Sequence, residues 1–283
     1  MFKIVSKRVL NEAGTTTEMV IEAPLVARKC KAGQFIMFRL DEYGERVPLT
    51  IADYDREKGT VTIMFQPAGQ STHMLNMMEP GDYIADFVGP LGKPTNMEGL
   101  KRVAVVGGGV GCAIAYPVAK GMYDAGIEVD MIAGFRSKDI VILEDEMRAG
   151  CTNLYITTDD GSYGEAGFTT DKLKALIEGG REYDEVVAIG PTVMMKFACI
   201  ATQPYGVKTV VSLNPIMIDG TGMCGCCRVT VGGETKFACV DGPEFDGHQV
   251  DWDELLKRNA FYKEQETEAK EHICRITGGV RNG

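Results

Sequence analysis

A short stretch near the carboxyl end of the chain, Asp219–Cys239, constrains the fold more than any other feature of the sequence. Three cysteines, Cys224, Cys226 and Cys227, lie within four positions of one another, and Cys239 closes the stretch. Glycines crowd its first half, so the backbone can bend tightly and several thiolates can reach one point. The pattern predicts a metal centre that stabilises a segment too small to build a large core of its own.

The spacing of these cysteines favours an iron–sulfur cluster. Cys224 and Cys227 form a C-x-x-C pair, and plant-type [2Fe–2S] ligation follows the pattern C-x4-C-x2-C with a more distant fourth Cys. On this template the first ligand falls at Asp219. Zinc is the alternative, but zinc ribbons usually pair two C-x-x-C motifs, and this stretch has one.

Two ligand sets remain open at this point. In the first, Asp219 joins Cys224, Cys227 and Cys239; in the second, Cys226 supplies the fourth thiolate and Asp219 is a turn residue. Adjacent residues of an extended chain point to opposite sides, which disfavours the use of Cys226 and Cys227 together.

Composition excludes several classes of function. The chain has 283 residues, 45% of them hydrophobic and 25% charged, as expected for a globular protein of two or three domains. A net charge of −10 without a Lys/Arg-rich run gives little support to nucleic-acid binding. No apolar run approaches the length of a membrane span, and the first residues lack the apolar core of a signal peptide. We therefore expect a cytoplasmic protein, in which most of the five scattered cysteines are packing residues.

The hydrophobic pattern divides the chain into residues 1–97, 98–212 and 213–283. In the first part, short runs such as Thr60–Phe65 and Tyr83–Val88 alternate with turn residues, which predicts an antiparallel β-barrel. In the second, strands alternate with helices, which predicts an α/β domain with a parallel sheet covered on both faces. The third holds the cysteine stretch and a charged helix near Trp252–Ile276. We expect a multidomain fold with a small C-terminal [2Fe–2S] module.

A glycine turn follows the first predicted strand of the second part. Val103–Val106 leads into Gly107–Gly111, and a helix is predicted from Cys112. Such a turn places backbone N–H groups and a positive helix end against a pyrophosphate. Cys112 stands where the third glycine of the dinucleotide fingerprint is expected, so a tight turn without a ligand is the alternative. Loops at Thr158–Ser162 and Gly190–Thr192 are expected to converge on the same edge of the sheet.

The barrel carries a second candidate for phosphate binding. Arg46-Val47-Pro48-Leu49-Thr50 is followed by Gln66–Thr72, a turn rich in Gly, Ser and Thr that opens a helix. An arginine and a helix N-terminus together bind a pyrophosphate well. An exposed arginine beside a helix cap explains the same residues equally well.

Together these motifs resemble those of the ferredoxin–NADP reductase superfamily, and more closely the iron–sulfur electron-transfer subunits of dihydroorotate dehydrogenases, over essentially the whole chain. The resemblance implies that the barrel binds FAD, although Arg46 lies one residue further from Thr50 than the family pattern expects. The FAD-binding residues it implies are Arg46, Pro48, Leu49, Thr50, Gly69, Ser71 and Thr72. The predicted pyridine-nucleotide residues are Gly108, Gly109, Val110, Gly111, Arg136, Thr158, Asp159, Asp160, Gly161, Gly190, Pro191 and Met194. Ile189 stands where the family has a cysteine.

Asp219 separates two branches of this resemblance. Dihydroorotate dehydrogenase subunits carry four cysteine ligands, whereas an aspartate in the first position resembles the small subunits of NADH-dependent reduced ferredoxin:NADP oxidoreductases, which are electron-bifurcating transhydrogenases. This likeness implies that Asp219, Cys224, Cys227 and Cys239 bind the [2Fe–2S] cluster. It also implies one FAD, a larger partner subunit with a flavin and [4Fe–4S] clusters, and ferredoxin reached only through that partner.

The resemblance favours NAD(H), but NADP(H) remains open. No acidic residue follows the predicted strand Glu128–Ala133 to bind a ribose hydroxyl, and Arg136 can meet a 2′-phosphate. Hydride transfer between nucleotide and flavin needs no general acid or base, and we predict no catalytic side chain. Two other functions remain open: a dihydroorotate dehydrogenase electron-transfer subunit, and a zinc-containing regulatory protein that senses nucleotides.

Overall fold

Seven antiparallel strands form the first sheet of the computed structural model, which describes residues 1–262 and 264–268. The strands are β1 Phe2–Val9, β2 Thr17–Glu22, β3 Phe35–Arg39, β4 Val47–Asp55, β5 Thr60–Phe65, β6 Tyr83–Ile84 and β7 Asp86–Leu91. Their spatial order is β6-β1-β2-β5-β4-β3-β7. Two helices, α1 Pro24–Ala27 and α2 Gln70–Met77, lie in the connections.

The single strand expected at Tyr83–Val88 is two strands, and the break at Ala85 nearly closes the barrel. β6 pairs with β1 and β7 pairs with β3, at opposite ends of the sheet. Because one residue joins β6 to β7, the two ends of the sheet are brought together. The interior is filled by alternate residues, among them Ile21, Phe38 and Ile63, all without exposed surface, and each such side chain contributes about 1.5–3 kcal/mol.

The strands of a second seven-stranded sheet are β8 Arg102–Gly108, β9 Glu128–Phe135, β10 Asn153–Thr158, β11 Glu165–Ala166, β12 Glu185–Ile189, β13 Thr209–Ser212 and β16 Glu244–Asp246. Their spatial order is β11-β10-β9-β8-β12-β13-β16. The helices in the connections are α3 Cys112–Asp124, α4 Glu144–Ala149, α5 Thr169–Glu178 and α6 Thr192–Thr202. All neighbours pair in parallel except β13 and β16. No helix in the described part of the chain is long and apolar enough to span a membrane.

Strand β8 shows why this sheet is covered on both faces. Val103 and Val105 belong to a core that includes Ala115 and Met122 of α3. Ala104 and Val106, which point the other way, belong to a core built with α5 and α6. A strand buried on both faces reads as a continuous apolar run, as this one does. The predicted order of a β-barrel followed by an α/β domain with a parallel sheet is thereby confirmed.

The third part of the chain is joined to the nucleotide sheet. A hairpin of β14 Arg228–Val231 and β15 Glu234–Phe237 lies between Cys227 and Cys239, and β16 then pairs antiparallel with β13. Helix α7, Trp252–Asn259, packs Leu255 into the core that contains Val106. The single helix predicted near Trp252–Ile276 is represented by α7, which ends at Asn259; the rest of that prediction from residue 269 onward, with Cys274, lies outside the described residues. The domain limits 97/98 and 212/213 stay predictions.

Glu244 lies where all three parts of the chain meet. Thr95, in the segment between barrel and sheet, donates its hydroxyl to the Glu244 carboxylate at 2.6 Å. Beside them, a Cβ on Gly33 of the barrel would lie 2.8 Å from the backbone nitrogen of Thr95, so Gly33 permits the close approach. The pKa of Glu244 is raised to about 7: burial is the main cause, the Thr95 hydrogen bond opposes the shift, and the negative charge of Glu185 adds to it.

Glu244→Gln is expected to stabilise the protein at neutral and alkaline pH only. The pKa of Glu244 is about 7 in the folded protein and 4.5 in the unfolded chain. Between these values the unfolded chain releases the proton more readily than the folded protein does. The free energy of unfolding therefore falls as the pH rises from 4.5 through 7. Glutamine keeps an oxygen for Thr95 and cannot ionise. We expect the variant's Tm to exceed that of the wild type by several degrees at about pH 8 and to differ little at about pH 5. An equal shift at both pH values would contradict the assignment.

Candidate functional site

A cleft of about 880 Å³ lies between the barrel and the carboxyl edge of the parallel sheet. The barrel contributes Phe35 of β3, Thr50 of β4 and Met64 of β5, and the opposite wall consists of loops that follow β8, β9, β10 and β12. The segment after β13, which includes Asn214 and Met217, closes one end. Ligands of open α/β sheets bind at this edge, so the fold places the cleft where a nucleotide site is expected.

The cleft brings together most of the predicted cofactor residues. Those that line it are Pro48, Leu49, Thr50, Gly108, Gly109, Val110, Gly111, Arg136, Asp159, Gly190, Pro191 and Met194. Those that lie outside it are Arg46, Gly69, Ser71, Thr72, Thr158, Asp160 and Gly161. The binding role of each of these residues stays a prediction, but the first group shares one cavity.

Glycine is required at the turn after β8 for two different reasons. Gly109 has φ +56°, a conformation that favours glycine. Gly111 packs directly against the backbone at the end of β12, where an added Cβ would lie 2.6 Å from the Gly190 Cα and 2.7 Å from the Ile189 carbonyl oxygen. The first turn of α3 can therefore approach β12, and Gly111 and Ile114 at this turn line the cleft.

The predicted residues of the loop after β10 hold the loop in shape. The Thr158 hydroxyl donates to the Tyr163 carbonyl at 2.7 Å and accepts the Tyr163 N–H at 3.1 Å. Asp160 accepts hydrogen bonds from the Ser162 hydroxyl and N–H, and these bonds lower the pKa of Asp160. Gly161 turns the chain with φ +69°. Asp159 is the residue of this loop that lines the cleft.

The turn before α2 is also held by its own side chains. Thr72 Oγ1 accepts the N–H groups of Ala68 at 3.0 Å and Gly69 at 3.1 Å. The Ser71 hydroxyl donates to the Glu45 carboxylate at 2.9 Å. The Glu45 carboxylate thus lies near the N-terminus of α2, where the helix dipole favours negative charge.

The backbone of the cysteine loop turns at three glycines and is organised by Asp219. Gly220, Gly222 and Gly225 have φ values of +79°, +86° and +67°. The Asp219 carboxylate accepts the N–H groups of Thr221 at 2.7 Å, Met223 at 3.1 Å and Cys224 at 2.9 Å. These bonds, that of Thr221 first, lower the pKa of Asp219 and keep it ionised.

Two of the predicted thiol ligands already converge. The Sγ atoms of Cys227 and Cys239 are 3.2 Å apart and buried, whereas Cys224 is exposed and Cys226 half-buried. Within residues 1–262 and 264–268, no three side chains of His, Cys, Asp or Glu stand in metal-ligand geometry. The chemistry of the donors nevertheless fits an iron–sulfur cluster, because soft thiolates dominate and Asp219 supplies an ionised oxygen.

One hydrophobic core connects the cleft to the cysteines. Phe35 and Met37 of β3 pack in the same cluster as Met217, Cys227 and Cys239. Phe35 and Met217 also line the cleft. Phe35 and Met217 therefore belong both to the wall of the cleft and to the core around the cysteines.

Sequence reasoning missed several residues of the cleft. The barrel contributes Phe35 and Met64, and the turn between β1 and β2 contributes Asn11, Thr15 and Thr16. The apolar residues have no distinguishing signal, since they look like any inward residue of a strand. The turn reaches the nucleotide domain through a hydrogen bond from the Ala13 N–H to the Asp139 carbonyl, a contact between segments far apart in sequence.

Comparisons with known proteins identify the family. Residues 214–251 match the model of the iron–sulfur cluster binding domain of dihydroorotate dehydrogenase B. A Thermotoga maritima homologue of the dihydroorotate dehydrogenase B (NAD(+)) electron transfer subunit is 48% identical over 91% of each chain. The Geobacillus thermodenitrificans electron transfer subunit of that enzyme is 34% identical over 87% of this chain and 96% of its own. The chain belongs to the family of dihydroorotate dehydrogenase B electron transfer subunits.

One solved structure is particularly similar to this chain. It belongs to an NADH-dependent reduced ferredoxin-NADP oxidoreductase, studied for flavin-based electron bifurcation. It is 45% identical to this chain, with a TM-score of 0.90 over 96% of this chain and 98% of the other. The likeness therefore extends over the barrel, the nucleotide sheet and the cysteine segment together.

Two glycine substitutions at the edge of the cleft are expected to differ sharply. Gly111→Ala places a methyl group against the backbone of Ile189 and Gly190, which cannot move without disturbing β12, so we expect a loss of about 2 kcal/mol or more in the free energy of unfolding. Gly108→Ala meets first the flexible side chain of Met194, which can move aside, so we expect a loss below about 1 kcal/mol.

Denaturant unfolding and nucleotide titration separate the two effects. Gly108→Ala should weaken nucleotide binding, because it displaces Met194 within the cleft while the fold is retained. If Gly111→Ala were as stable as the wild type, the close contact between α3 and β12 would be refuted.

Proposed function

We propose that this chain is an electron-transfer subunit that holds FAD, one [2Fe–2S] cluster and a pyridine-nucleotide site, and that it carries electrons between NAD(H) and a partner subunit. One observation carries the proposal above all others. The cleft between barrel and nucleotide sheet shares the side chains of Phe35 and Met217 with the core around Cys227 and Cys239. A flavin site and a metal site are thus adjacent within one rigid core, as electron transfer requires.

The barrel wall of the cleft is the proposed site of the flavin ring. Thr50 and its neighbours Pro48 and Leu49 present the edge of β4 to the cavity. FAD, when bound, supplies the chemistry that accepts a hydride and releases its two electrons singly. The protein excludes water from this wall with Phe35 and Met64. The N-terminus of α2, with Gly69, Ser71 and Thr72, is the proposed site of the FAD pyrophosphate.

The opposite wall is the proposed nucleotide site. The N–H groups of Gly108–Gly111 and the N-terminus of α3 attract a pyrophosphate, and Met194 and Pro191 pack at its side. Arg136 is exposed, lines the cleft, and can pair with a phosphate or ribose hydroxyl. We propose NAD(H) as the nucleotide, because the similar solved structure is of an NADH-dependent enzyme.

The cluster is proposed to bind Asp219, Cys224, Cys227 and Cys239. The contact between the Cys227 and Cys239 thiols and the hydrogen bond from the Cys224 N–H to the Asp219 carboxylate support this set. Cys226 uses its carbonyl to accept a hydrogen bond from Arg258 at 3.0 Å, which ties that residue to α7. Of the backbone N–H groups bound by Asp219, Oδ1 accepts that of Thr221 and Oδ2 accepts those of Met223 and Cys224, so Oδ1 is the oxygen with a lone pair for iron.

The surface around this loop is the proposed contact with the partner. Ile218, Met223 and Val240 are large apolar residues that are 51%, 88% and 39% exposed. Exposed apolar residues grouped at a redox centre favour a protein interface. We propose a larger subunit with a flavin and [4Fe–4S] clusters, by analogy with the electron-bifurcating relative, with ferredoxin reached only through that subunit.

A dihydroorotate dehydrogenase electron transfer subunit is the second candidate, since relatives with that name are 32–34% identical to this chain. A Thermotoga maritima homologue of that subunit is 48% identical, so sequence identity does not separate the two candidates. Asp219 in the first ligand position, together with the TM-score of 0.90 over 96% of this chain to the ferredoxin-NADP oxidoreductase, favours the first candidate. Purification of the native complex and identification of the second chain by mass spectrometry distinguish the two.

Visible absorption and electron paramagnetic resonance test the proposal directly. The purified protein should show flavin bands, a broad iron–sulfur shoulder and about one FAD and two irons per chain. Under anaerobic conditions NADH should bleach the flavin and produce the signal of a reduced cluster faster than NADPH does. A colourless protein, or one that contains zinc, would rule out the proposal, and faster reduction by NADPH would reverse the nucleotide assignment alone.

Variants of the cysteine loop test the ligand set. We expect Asp219→Ala to lose or destabilise the cluster and Cys226→Ala to keep it, as measured by iron content. Since Asp219 also holds the loop backbone, Asp219→Cys is the informative companion: it should retain the cluster with changed g-values, because one ligand changes from oxygen to sulfur. Unchanged g-values in Asp219→Cys, or loss of iron in Cys226→Ala, would overturn the assignment.

A further inference from the structure

Arg46 reaches from the barrel to the cysteine loop. It precedes β4, and its Nε donates to the Ile218 carbonyl at 3.0 Å while its Nη2 donates to the Asp219 carbonyl at 3.0 Å. A planar guanidinium suits two successive acceptors in a way that a lysine ammonium does not. Arg46 is not among the residues that line the cleft.

A second contact fixes the same part of the loop. Gly220 has φ +79°, and a Cβ there would lie 2.9 Å from both Met37 and Leu91 of the barrel. The backbone at 218–220 is therefore pressed onto β3 and β7 and held from the side by Arg46. From this anchored point the Asp219 carboxylate organises the N–H groups of Thr221, Met223 and Cys224.

We propose that Arg46 is a positioning residue for the metal centre: it fixes the loop that carries Asp219 and Cys224 against the flavin barrel, and its positive charge favours the reduced cluster. This inference rests on the proposed [2Fe–2S] site. The sequence predicts that Arg46 binds FAD, and the role proposed here is a different one. A positive charge beside a cluster raises its reduction potential, and a rigid loop protects the iron from loss.

Three variants test the inference in the as-purified protein supplied with excess FAD. Arg46→Ala removes both bonds and the charge, and Arg46→Lys keeps the charge but cannot span both carbonyls. Arg39→Ala is the matched control: this barrel arginine bonds the Asp86 carboxylate at 2.6 Å and the Glu42 carbonyl at 3.2 Å, and neither partner belongs to the cysteine loop. The measurements are amide hydrogen exchange of residues 219–227, the midpoint potential of the cluster, iron retention and FAD content.

We expect Arg46→Ala to speed exchange in the loop about tenfold or more, to lower the cluster potential and to lose iron sooner, while Arg39→Ala matches the wild type. Arg46→Lys should restore the potential but not the slow exchange. If Arg46→Ala weakens FAD binding and, once FAD is restored, leaves loop exchange and potential unchanged, the inference is wrong. If the wild type has no cluster, the proposed function fails, while hydrogen exchange in Arg46→Ala and Arg39→Ala still tests the loop contact.

Discussion

The packing of strand β3 against two sites at once is the constraint on which the rest of this structure depends. Phe35 lines the cleft and Met37 packs against Gly220, and both residues belong to the hydrophobic core that contains Cys227 and Cys239. Protein interiors are close-packed and resist local displacement, so the barrel and the cysteine loop behave as one body. A chain organised in this way keeps its cofactor sites at a fixed separation, without a flexible linker between them.

Much of the fold follows from short-range patterns in the sequence. The continuous apolar run of β8 indicates burial on both faces, and the alternation in the first part of the chain indicates a barrel. The break at Ala85 was not predictable, because it depends on which distant strands pair with β6 and β7. Strand β16 was missed for a similar reason, since Glu244-Phe245-Asp246 reads as a turn and becomes a strand only beside β13.

The candidate site was predictable where its chemistry depends on the backbone or on thiols. Glycine turns and cysteine spacing are local signals, and the cleft contains the turn at Gly108–Gly111 as expected. Side chains whose role depends on the tertiary fold gave no such signal. Phe35 reads as a core residue, and Arg46, predicted from its neighbours to bind FAD, makes its hydrogen bonds to a loop more than 170 positions away.

The pairing of β16 with β13 also affects how this protein behaves toward other chains. Without β16 the parallel sheet would end at β13, a strand rich in valine whose free N–H and C=O groups could pair with another molecule. The opposite edge ends in β11, which has two residues and offers little to bind. The segment that follows the cysteines thus shields an edge of the sheet that would otherwise be open to association with other chains.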